Sequence, residues 1–383
     1  MNDIPVSGHC DPKFEAVEAA FRRNMQDGDP VCGDELGACV SVVIDGECVV
    51  DLWGGFRDAN RSLPWEADTI TCMMSVTKAC AAVALLRLVE TGLVDLEERV
   101  GTYWPAFACN GKEAMTVRTL ISHQSGVIYA DEAPAGSLWD VVSVRRALEG
   151  ATPEWEPGTG GAYHSFTYGP LLDGLVSAVT GRGVAEVWRD QIADPLGIDY
   201  HIGLNDEEAA RRAEFVETPG TPSRDGIKGD IETPLTRAWA PLPRTENFNS
   251  EDWIRGSFAS ANGHGNARAV ARLYGGLAGD GTIDGKMLLS KELIADATRE
   301  HWDDMDRMTN RPFRFGCGFM LSCDAFPFGG HRRNFGHTGI GGAIGFGDPE
   351  RALGFSYCGN RMAPIANTGP FGAPLIDAMY AAL

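Results

Sequence analysis

The sequence predicts a mixed α/β (α+β) fold in which both ends of the chain build one domain and a mainly helical domain is inserted between them. A hairpin pattern is present near the N-terminus, in ACVSVVIDGECVVDLWGG, with Asp45-Gly46 at its turn. Strand-like runs return near the C-terminus, in FRFGCGFMLS, GGAIGFGD and ALGFSYCGN. We therefore expect an α/β domain at 1–70 and 256–383, a mainly helical domain at 71–255, and the site in the cleft between them.

Hydrophobic spacing predicts the individual elements in chain order. An amphipathic helix is expected at 13–27, where apolar residues recur at helical intervals. Further helical patterns occur at 75–91, 116–123, 165–180 and 184–192. The stretch 205–255 is polar and contains prolines, which predicts a long irregular excursion. The segment ARAVARLYGGLAGDG then predicts another helix, ended by glycine.

Composition excludes several classes of function. The chain has 383 residues, 44% of them hydrophobic, so it can bury a large core. Its best apolar run is interrupted by Arg87 and Glu90, and its N-terminus lacks the pattern of a signal peptide. A formal charge of −20 argues against nucleic acid or an anionic membrane as partner. We expect a cytoplasmic protein with a small-molecule substrate; the oligomeric state is left undetermined.

Cysteine and histidine spacing indicates no metal centre. The ten cysteines include no C-x-x-C pair, and several lie in apolar surroundings, so reduced thiols are expected rather than a disulfide framework. The eight histidines include no H-E-x-x-H and no paired ligand spacing. Phosphate-binding G-x-x-x-x-G-K-[ST] and nucleophile-elbow G-x-S-x-G patterns are also missing. Neither a metal nor an organic cofactor is expected.

The segment TCMMSVTKACAAVALLRLVETG contains the first candidate for chemistry. Ser75 and Lys78 stand three positions apart at the start of an apolar helix, so their side chains share one helix face. A serine hydroxyl needs a base to become a nucleophile, and burial could depress the pKa of a lysine enough to make it that base. The pattern alone is also compatible with a capped helix that carries an exposed lysine.

Two glycine-rich segments supply the other candidates. In WEPGTGGAYHSFTYG, Tyr163 follows a glycine-rich turn and could share a proton with a nearby serine or lysine. In FGHTGIGGAIGFGD, the glycines could let backbone N–H groups approach an oxyanion beside His337. Taken separately, each segment is equally compatible with a structural role.

Together, S-x-x-K, the tyrosine motif and His-Thr-Gly occur in an order that resembles the serine β-lactamase and penicillin-binding-protein superfamily, in its class C-like members. LISHQSGV (120–127) is similar to the L-L-x-H-x-S-G segment of that superfamily, and WEPGT, YHSFTYG and DPLGIDYHIGL are similar to family VIII carboxylesterases. The resemblance covers about residues 15–380. It implies a β-lactamase-like fold, with an antiparallel sheet flanked by helices and an inserted helical domain.

The resemblance also implies roles for individual residues. Ser75 would form an acyl-enzyme, and Lys78 with Tyr163 would relay the proton, either of the two being the base. The oxyanion hole would be the backbone N–H groups of Ser75 and Ile340. His337 would polarise Tyr163 or hold the acyl part of the ester. The residues that complete this set, for substrate binding or support, are Ser165 and Gly339.

Two departures from the class C pattern favour an esterase. Ser165 stands where Y-x-N has asparagine, and His337 stands where K-T-G has lysine. Their loss weakens the case for β-lactam hydrolysis, because the family uses both residues to hold that substrate. The expected activity is therefore hydrolysis of carboxylic esters, with short to medium acyl chains. The sequence does not specify the natural substrate or its stereochemistry.

Three alternatives stay open. The same machinery could hydrolyse amides, as a β-lactamase, a DD-peptidase or an amidase does, although a cell-wall role does not fit the missing signal peptide. It could also transfer the acyl group to an alcohol or amine instead of water. A non-catalytic binding protein is disfavoured, because Ser75, Lys78 and Tyr163 are all present.

Overall fold

A computed structural model describes residues 4–26, 33–217, 227–228, 232–363 and 367–383. Its strands are β1 (Val6–Cys10), β2 (Gly37–Ile44), β3 (Glu47–Gly55), β4 (Thr71–Cys72), β5 (Tyr200–Ile202), β6 (Gly263–Gly265), β7 (Thr282–Ile283), β8 (Lys286–Met287), β9 (Trp302–Met305), β10 (Pro312–Phe315), β11 (Met320–Leu321), β12 (Phe335–Thr338), β13 (Ile344–Asp348) and β14 (Leu353–Gly359).

The α-helices of the described residues are α1 (Glu15–Gln26), α2 (Val76–Glu90), α3 (Val100–Tyr103), α4 (Val117–Ile121), α5 (Val141–Gly150), α6 (Tyr168–Thr180), α7 (Val184–Trp188), α8 (Asp194–Leu196), α9 (Asp206–Ala210), α10 (Pro234–Ala238), α11 (Glu251–Arg255), α12 (Ala267–Ala278), α13 (Lys291–Ala297) and α14 (Gly369–Ala381). Short 3₁₀ turns occur at Pro12–Phe14 and Pro105–Phe107, and a π-helical turn at Arg189–Ala193 connects α7 to α8.

Within the described residues, nine strands form one sheet in the order β1-β3-β2-β14-β13-β12-β11-β10-β9. All of its neighbouring strands are antiparallel. Strand β2 pairs with β14, so the N-terminal and C-terminal parts of the sequence meet within the sheet, between its third and fourth strands. This architecture confirms the predicted α/β fold, with an antiparallel sheet flanked by helices.

The N-terminal hairpin is present at its predicted turn. Asp45 and Gly46 connect β2 to β3 with φ angles of 51° and 84°. Two positive φ angles in a two-residue loop are the geometry of a type I′ turn, whose twist matches that of the flanking strands. The Asp-Gly pair therefore sets the register between β2 and β3.

Each face of the sheet is covered by helices. Helices α1 and α14 pack together on one face, over a core that includes Phe346 and Phe355. Helix α12 covers the other face, where a Cβ on Gly354 would collide with the carbonyl oxygen of Ala271. Glycine on the strand thus allows the helix backbone to approach the sheet closely.

Helix α2 is buried on every side, as its continuously apolar sequence predicts. It ends where expected, with Gly92 at a φ of 74°. A second sheet, of three strands among the described residues, has the order β4-β6-β5 and holds the segment that leads into α2. Because β6 lies beyond residue 255 and β4 and β5 before it, this sheet bridges the expected boundary at 255/256. The division into two domains stays a prediction.

Helix boundaries differ from expectation mainly around α6 and in the excursion. The helix predicted at 165–180 begins at Tyr168, since residues 165–167 form a turn, from which Thr167 Oγ1 donates a hydrogen bond to the Val127 carbonyl. Short helices α9, α10 and α11 interrupt the stretch predicted as irregular, while residues 218–226 and 229–231 lie outside the described residues.

The nine cysteines in the described ranges are free thiols; Cys32 falls outside those ranges. Throughout the described chain, every helix is too short or too polar to cross a membrane.

Candidate active site

Ser75 and Lys78 lie side by side at the start of α2. Lys78 Nζ is 3.0 Å from Ser75 Oγ and donates a hydrogen bond of 2.8 Å to the Ser260 carbonyl oxygen. The Lys78 side chain is 0% exposed, and Ser75 is 6% exposed. Burial holds the pKa of Lys78 well below its usual value, because the low-dielectric interior disfavours the ammonium form. The lysine is therefore held in the interior, and its neutral amine is the form that can accept a proton.

The residue before the nucleophile candidate has an unusual backbone. Met74 is not a glycine, yet its φ is 47°, in the left-handed region. Such a conformation costs about 1–3 kcal/mol and persists only where surrounding structure enforces it. Here it turns the chain sharply from β4 into α2, and Ser75 lies at this turn with its side chain next to Lys78.

Tyr163 completes a cluster of three functional side chains. Lys78 Nζ lies 4.9 Å from the centroid of the Tyr163 ring. Burial raises the pKa of Tyr163 above its usual value, and its interaction with the Ser75 side chain lowers that pKa in part. The structure thus brings together Ser75, Lys78 and Tyr163, with the lysine favoured as a neutral amine and the tyrosine as a neutral phenol.

His337 lies on β12, across from Tyr163, with ring centroids 5.9 Å apart. Its Nδ1 is 2.6 Å from the Thr338 carbonyl oxygen, an acceptor, so Nδ1 carries the proton. Nε2 is then a lone-pair acceptor; it is buried and has no partner within the described residues. Burial, with a smaller contribution from Lys78, lowers the pKa of His337 to about 3. The histidine is therefore neutral and supplies no positive charge at this position.

The end of β12 is pressed against the turn that carries Ser75. A Cβ on Gly339 would collide with the Met73 carbonyl oxygen and lie 3.2 Å from Met74 Cβ. Only glycine allows this approach, which brings the next residue, Ile340, to the Ser75 turn. In the described part of the chain, the N–H groups of Ser75 and Ile340 make no hydrogen bond, so both are available to an oxyanion.

Ser165 is placed differently from the other predicted residues. Its side chain is buried, and its Oγ accepts a hydrogen bond of 2.8 Å from Trp239 Nε1. The hydroxyl therefore anchors an aromatic side chain of α10's C-terminal end. A direct contact of Ser165 with substrate stays a prediction.

Sequence reasoning missed the residues that support this cluster. His123, within the LISHQSGV segment, has a φ of 63° and accepts a hydrogen bond of 3.0 Å from the His164 backbone N–H. Ser125 Oγ is 2.5 Å from His164 Nε2. Burial lowers the pKa of His164 to about 4, so this histidine is also neutral. The 120–127 segment thus supports the turn that carries Tyr163, and only its motif, not its contacts, was visible in the sequence.

Across the described ranges, no group of three or more histidine, cysteine, aspartate or glutamate side chains could hold a metal ion. The chemistry available at the cluster is that of a serine, a neutral amine and a phenol.

The chain is similar to known proteins over most of its length. The Beta-lactamase family model matches residues 17–370. The chain is 34% identical over 378 residues to Esterase/beta-lactamase LipL of Mycobacterium tuberculosis (strain ATCC 25618 / H37Rv), with 96% of this chain and 86% of LipL covered.

Two solved structures are similar over nearly the whole chain. A family VIII carboxylesterase has 34% identity and a TM-score of 0.88, with 99% of this chain and 100% of that chain covered. A penicillin-binding-protein homologue from Caulobacter crescentus has 36% identity and a TM-score of 0.90 at the same coverage. The resemblance to family VIII carboxylesterases and penicillin-binding proteins is thereby confirmed. On its fold, its motifs and these matches, the chain belongs to the Beta-lactamase family.

Proposed function

We propose that the protein is a serine hydrolase that cleaves carboxylic esters through an acyl-enzyme on Ser75. The observation that carries the proposal is the buried pair of Ser75 Oγ and Lys78 Nζ, 3.0 Å apart, with the Tyr163 ring centroid 4.9 Å from the same Nζ. A family VIII carboxylesterase and the esterase/beta-lactamase LipL among the similar proteins support ester hydrolysis.

In the acylation step, the neutral amine of Lys78 takes the proton from Ser75 Oγ as that oxygen attacks the ester carbonyl carbon. The carbonyl oxygen becomes an oxyanion, which the backbone N–H groups of Ser75 and Ile340 stabilise. When the C–O bond breaks, the leaving alkoxide takes the phenolic proton of Tyr163, and the Lys78 ammonium returns a proton to Tyr163.

Deacylation repeats these transfers with water. Lys78 and Tyr163 together accept a proton from a water molecule as its oxygen attacks the acyl-enzyme carbonyl. Collapse of the second tetrahedral intermediate returns a proton to Ser75 Oγ and releases the carboxylic acid. The three side chains therefore account for every proton that moves between enzyme and substrate, while the two N–H groups stabilise the oxyanions.

The charge of the site favours esters without a carboxylate near the reacting bond. The resemblance implies that a lysine in K-T-G helps to hold the carboxylate of a β-lactam. His337 takes that position here as a neutral ring, and its pKa of about 3 means that it stays neutral at physiological pH. An anionic substrate would therefore lose hydration without gaining a cationic partner at His337. Short and medium acyl esters are the substrates that we propose.

The test is a substrate panel of p-nitrophenyl acetate, butyrate and octanoate beside nitrocefin, all with the purified wild-type protein. We expect the esters to be hydrolysed and nitrocefin to be hydrolysed slowly or not at all. The relative rates for acetate, butyrate and octanoate then report the acyl-chain length that the pocket accepts. If nitrocefin outpaces every ester, β-lactam hydrolysis replaces ester hydrolysis as the proposed activity. Adding an alcohol acceptor and measuring the transesterified product tests acyl transfer in the same assay.

Gly339→Ala tests the oxyanion hole. The new Cβ would collide with the Met73 carbonyl oxygen, so the end of β12 must move away from the Ser75 turn and carry the Ile340 N–H with it. We expect kcat for p-nitrophenyl butyrate to fall about 100-fold, since displacements near 1 Å have effects of that size. Gly150→Ala is the matched control, because a Cβ there meets nothing within 4 Å. An unchanged kcat in Gly339→Ala would contradict the assignment of the Ile340 N–H to the oxyanion hole.

A further inference from the structure

The hairpin of β9 and β10 reaches over the segment that carries Tyr163. Its strands pair from Trp302 opposite Phe315 to Met305 opposite Pro312. Its loop is closed by Asp306 N donating to the Arg311 carbonyl at 2.8 Å, and by Asn310 N donating to the Asp306 carbonyl at 2.8 Å. These bonds make the loop a defined turn, with the Asp306 side chain at its start.

The Asp306 carboxylate is bonded to the backbone of the tyrosine. It is 1% exposed, and its Oδ1 accepts a hydrogen bond of 2.6 Å from the Tyr163 N–H, 143 residues away in the sequence. Its Oδ2 accepts from Thr309 N at 2.7 Å and from Thr309 Oγ1. No basic side chain within the described ranges forms an ion pair with it. A buried carboxylate without a cation is costly, so these three donors must compensate for its lost hydration.

The same hairpin holds the Tyr163 ring. Phe313 and Phe315 lie nearly parallel to that ring, at interplanar angles of 14° and 13° and centroid distances of 5.7 and 6.2 Å. Trp302 packs against Gly161, where any Cβ would collide with the indole, and donates from Nε1 to the Ser122 carbonyl at 2.7 Å. Backbone and ring of Tyr163 are thus both held by one hairpin.

The Tyr163 segment has little regular structure to position it. Residues 159–167 form turns and extended chain, and α6 begins only at Tyr168. A segment that lacks the regular backbone hydrogen bonds of a helix or sheet is positioned by its contacts with other parts of the protein. The Asp306 bond is the one that joins a side chain of the hairpin directly to the Tyr163 N–H.

We propose that Asp306 is a positioning residue for the reaction: by accepting the Tyr163 N–H, it sets the place of the phenol relative to Ser75 and the leaving oxygen. This inference rests on the proposed role of Tyr163 as proton donor. Asp306 itself does not touch the substrate, and its carboxylate takes no part in proton transfer. Its effect reaches the chemistry only through the tyrosine.

The first test compares single variants on p-nitrophenyl butyrate. Asp306→Ala is expected to lower kcat about 100-fold, with a smaller change in KM, because a displaced phenol impairs proton transfer more than substrate binding. Asp306→Asn keeps an acceptor for the Tyr163 N–H and should recover part of that loss. Asp304→Ala is the matched control: Asp304 is on the same hairpin and exposed, and among the described residues its carboxylate bonds only the N–H of its neighbour Met305. Each rate is divided by the concentration of active sites, determined by titration with a phosphonate, so that misfolded protein does not lower the measured kcat.

The decisive test is a double-mutant cycle with Tyr163→Phe, which keeps the ring and the backbone N–H but removes the hydroxyl. If Asp306 acts through that hydroxyl, Asp306→Ala has an effect of less than about twofold in the Tyr163→Phe background. The same loss in both backgrounds would overturn the proposal while leaving the role of Tyr163 intact. A fully active Tyr163→Phe would instead overturn the proposed role of Tyr163, and that of Asp306 with it.

Discussion

Ser75→Ala is expected to lower kcat for p-nitrophenyl butyrate about 10⁶-fold, the size of effect seen when a hydrolase loses its nucleophile. Lys78 and Tyr163 would remain in place, but no hydroxyl would be left beside Nζ to form the acyl-enzyme. The same variant should lose covalent labelling by a fluorophosphonate, measured by mass spectrometry of the intact protein and of its peptides.

Ser41→Ala is the matched control for that loss. Ser41 is a buried serine on β2, and its Oγ lies 3.7 Å from Cys48 Sγ rather than beside a base. We expect wild-type turnover and full labelling on Ser75 in this variant. A phosphonate adduct on any other serine, or ester turnover in Ser75→Ala at the wild-type rate, would contradict the assignment of the nucleophile.

Lys78→Met is expected to lower kcat/KM by about 10²- to 10⁴-fold, which is the usual contribution of a positioned general base. Methionine fills most of the volume of the lysine in a buried site but cannot accept a proton. Because the native site buries an amine, the substitution should also raise the midpoint of thermal unfolding, so that activity falls while stability rises. A stable variant with unchanged kcat/KM would exclude Lys78 as the base.

Lys112→Met separates the loss of a base from the loss of a buried lysine. Lys112 is also 0% exposed, and its Nζ donates to the Ala151 carbonyl and lies 5.1 Å from the centroid of the Phe107 ring. Its removal should change unfolding but leave kcat/KM per titrated site at the wild-type value. Equal losses of activity in the two variants would mean that burial, not base catalysis, explains the effect.

The pH dependence of the wild-type rate follows from the direction of the Lys78 pKa. Burial disfavours the ammonium, so the folded protein releases this proton at a pH well below 10.5, whereas the unfolded chain holds it until near 10.5. Activity needs the neutral amine and is therefore lost as pH falls through the folded pKa. Between the folded pKa of Lys78 and a pH near 10.5, the unfolded chain binds more protons than the folded protein, so the free energy of unfolding rises with pH. Lys78→Met should remove this dependence of stability on pH.

Local rules predicted the part of the site that lies on one helix. Ser75 and Lys78 are neighbours because three positions on α2 separate them, and the continuous apolar run explains why the amine is buried. The Asp45-Gly46 turn likewise predicted the hairpin that is seen. These inferences depend only on spacing and on backbone preference, which a sequence displays directly.

Contacts between distant segments could not be predicted in this way. Asp306 bonds the Tyr163 backbone across 143 positions, and nothing in its neighbours signals that partner. The bond that Trp239 Nε1 donates to Ser165 Oγ was equally hidden, because Trp239 becomes a neighbour of Ser165 only when the excursion folds back. The protonation of His337 depended similarly on burial, which the sequence did not show.

The pairing of β2 with β14 has a consequence for synthesis on the ribosome. Strand β2 is complete at Ile44, but its partner begins at Leu353, so roughly 300 residues, or about 15–60 s of translation, separate them. Throughout that interval the nascent chain carries an apolar strand with one unpaired edge, the kind of surface that recruits chaperones or aggregates. His337 and Ile340 also emerge late, so a polypeptide arrested before them has its serine and lysine but no complete site. Ester turnover should therefore report full-length translation as well as folding.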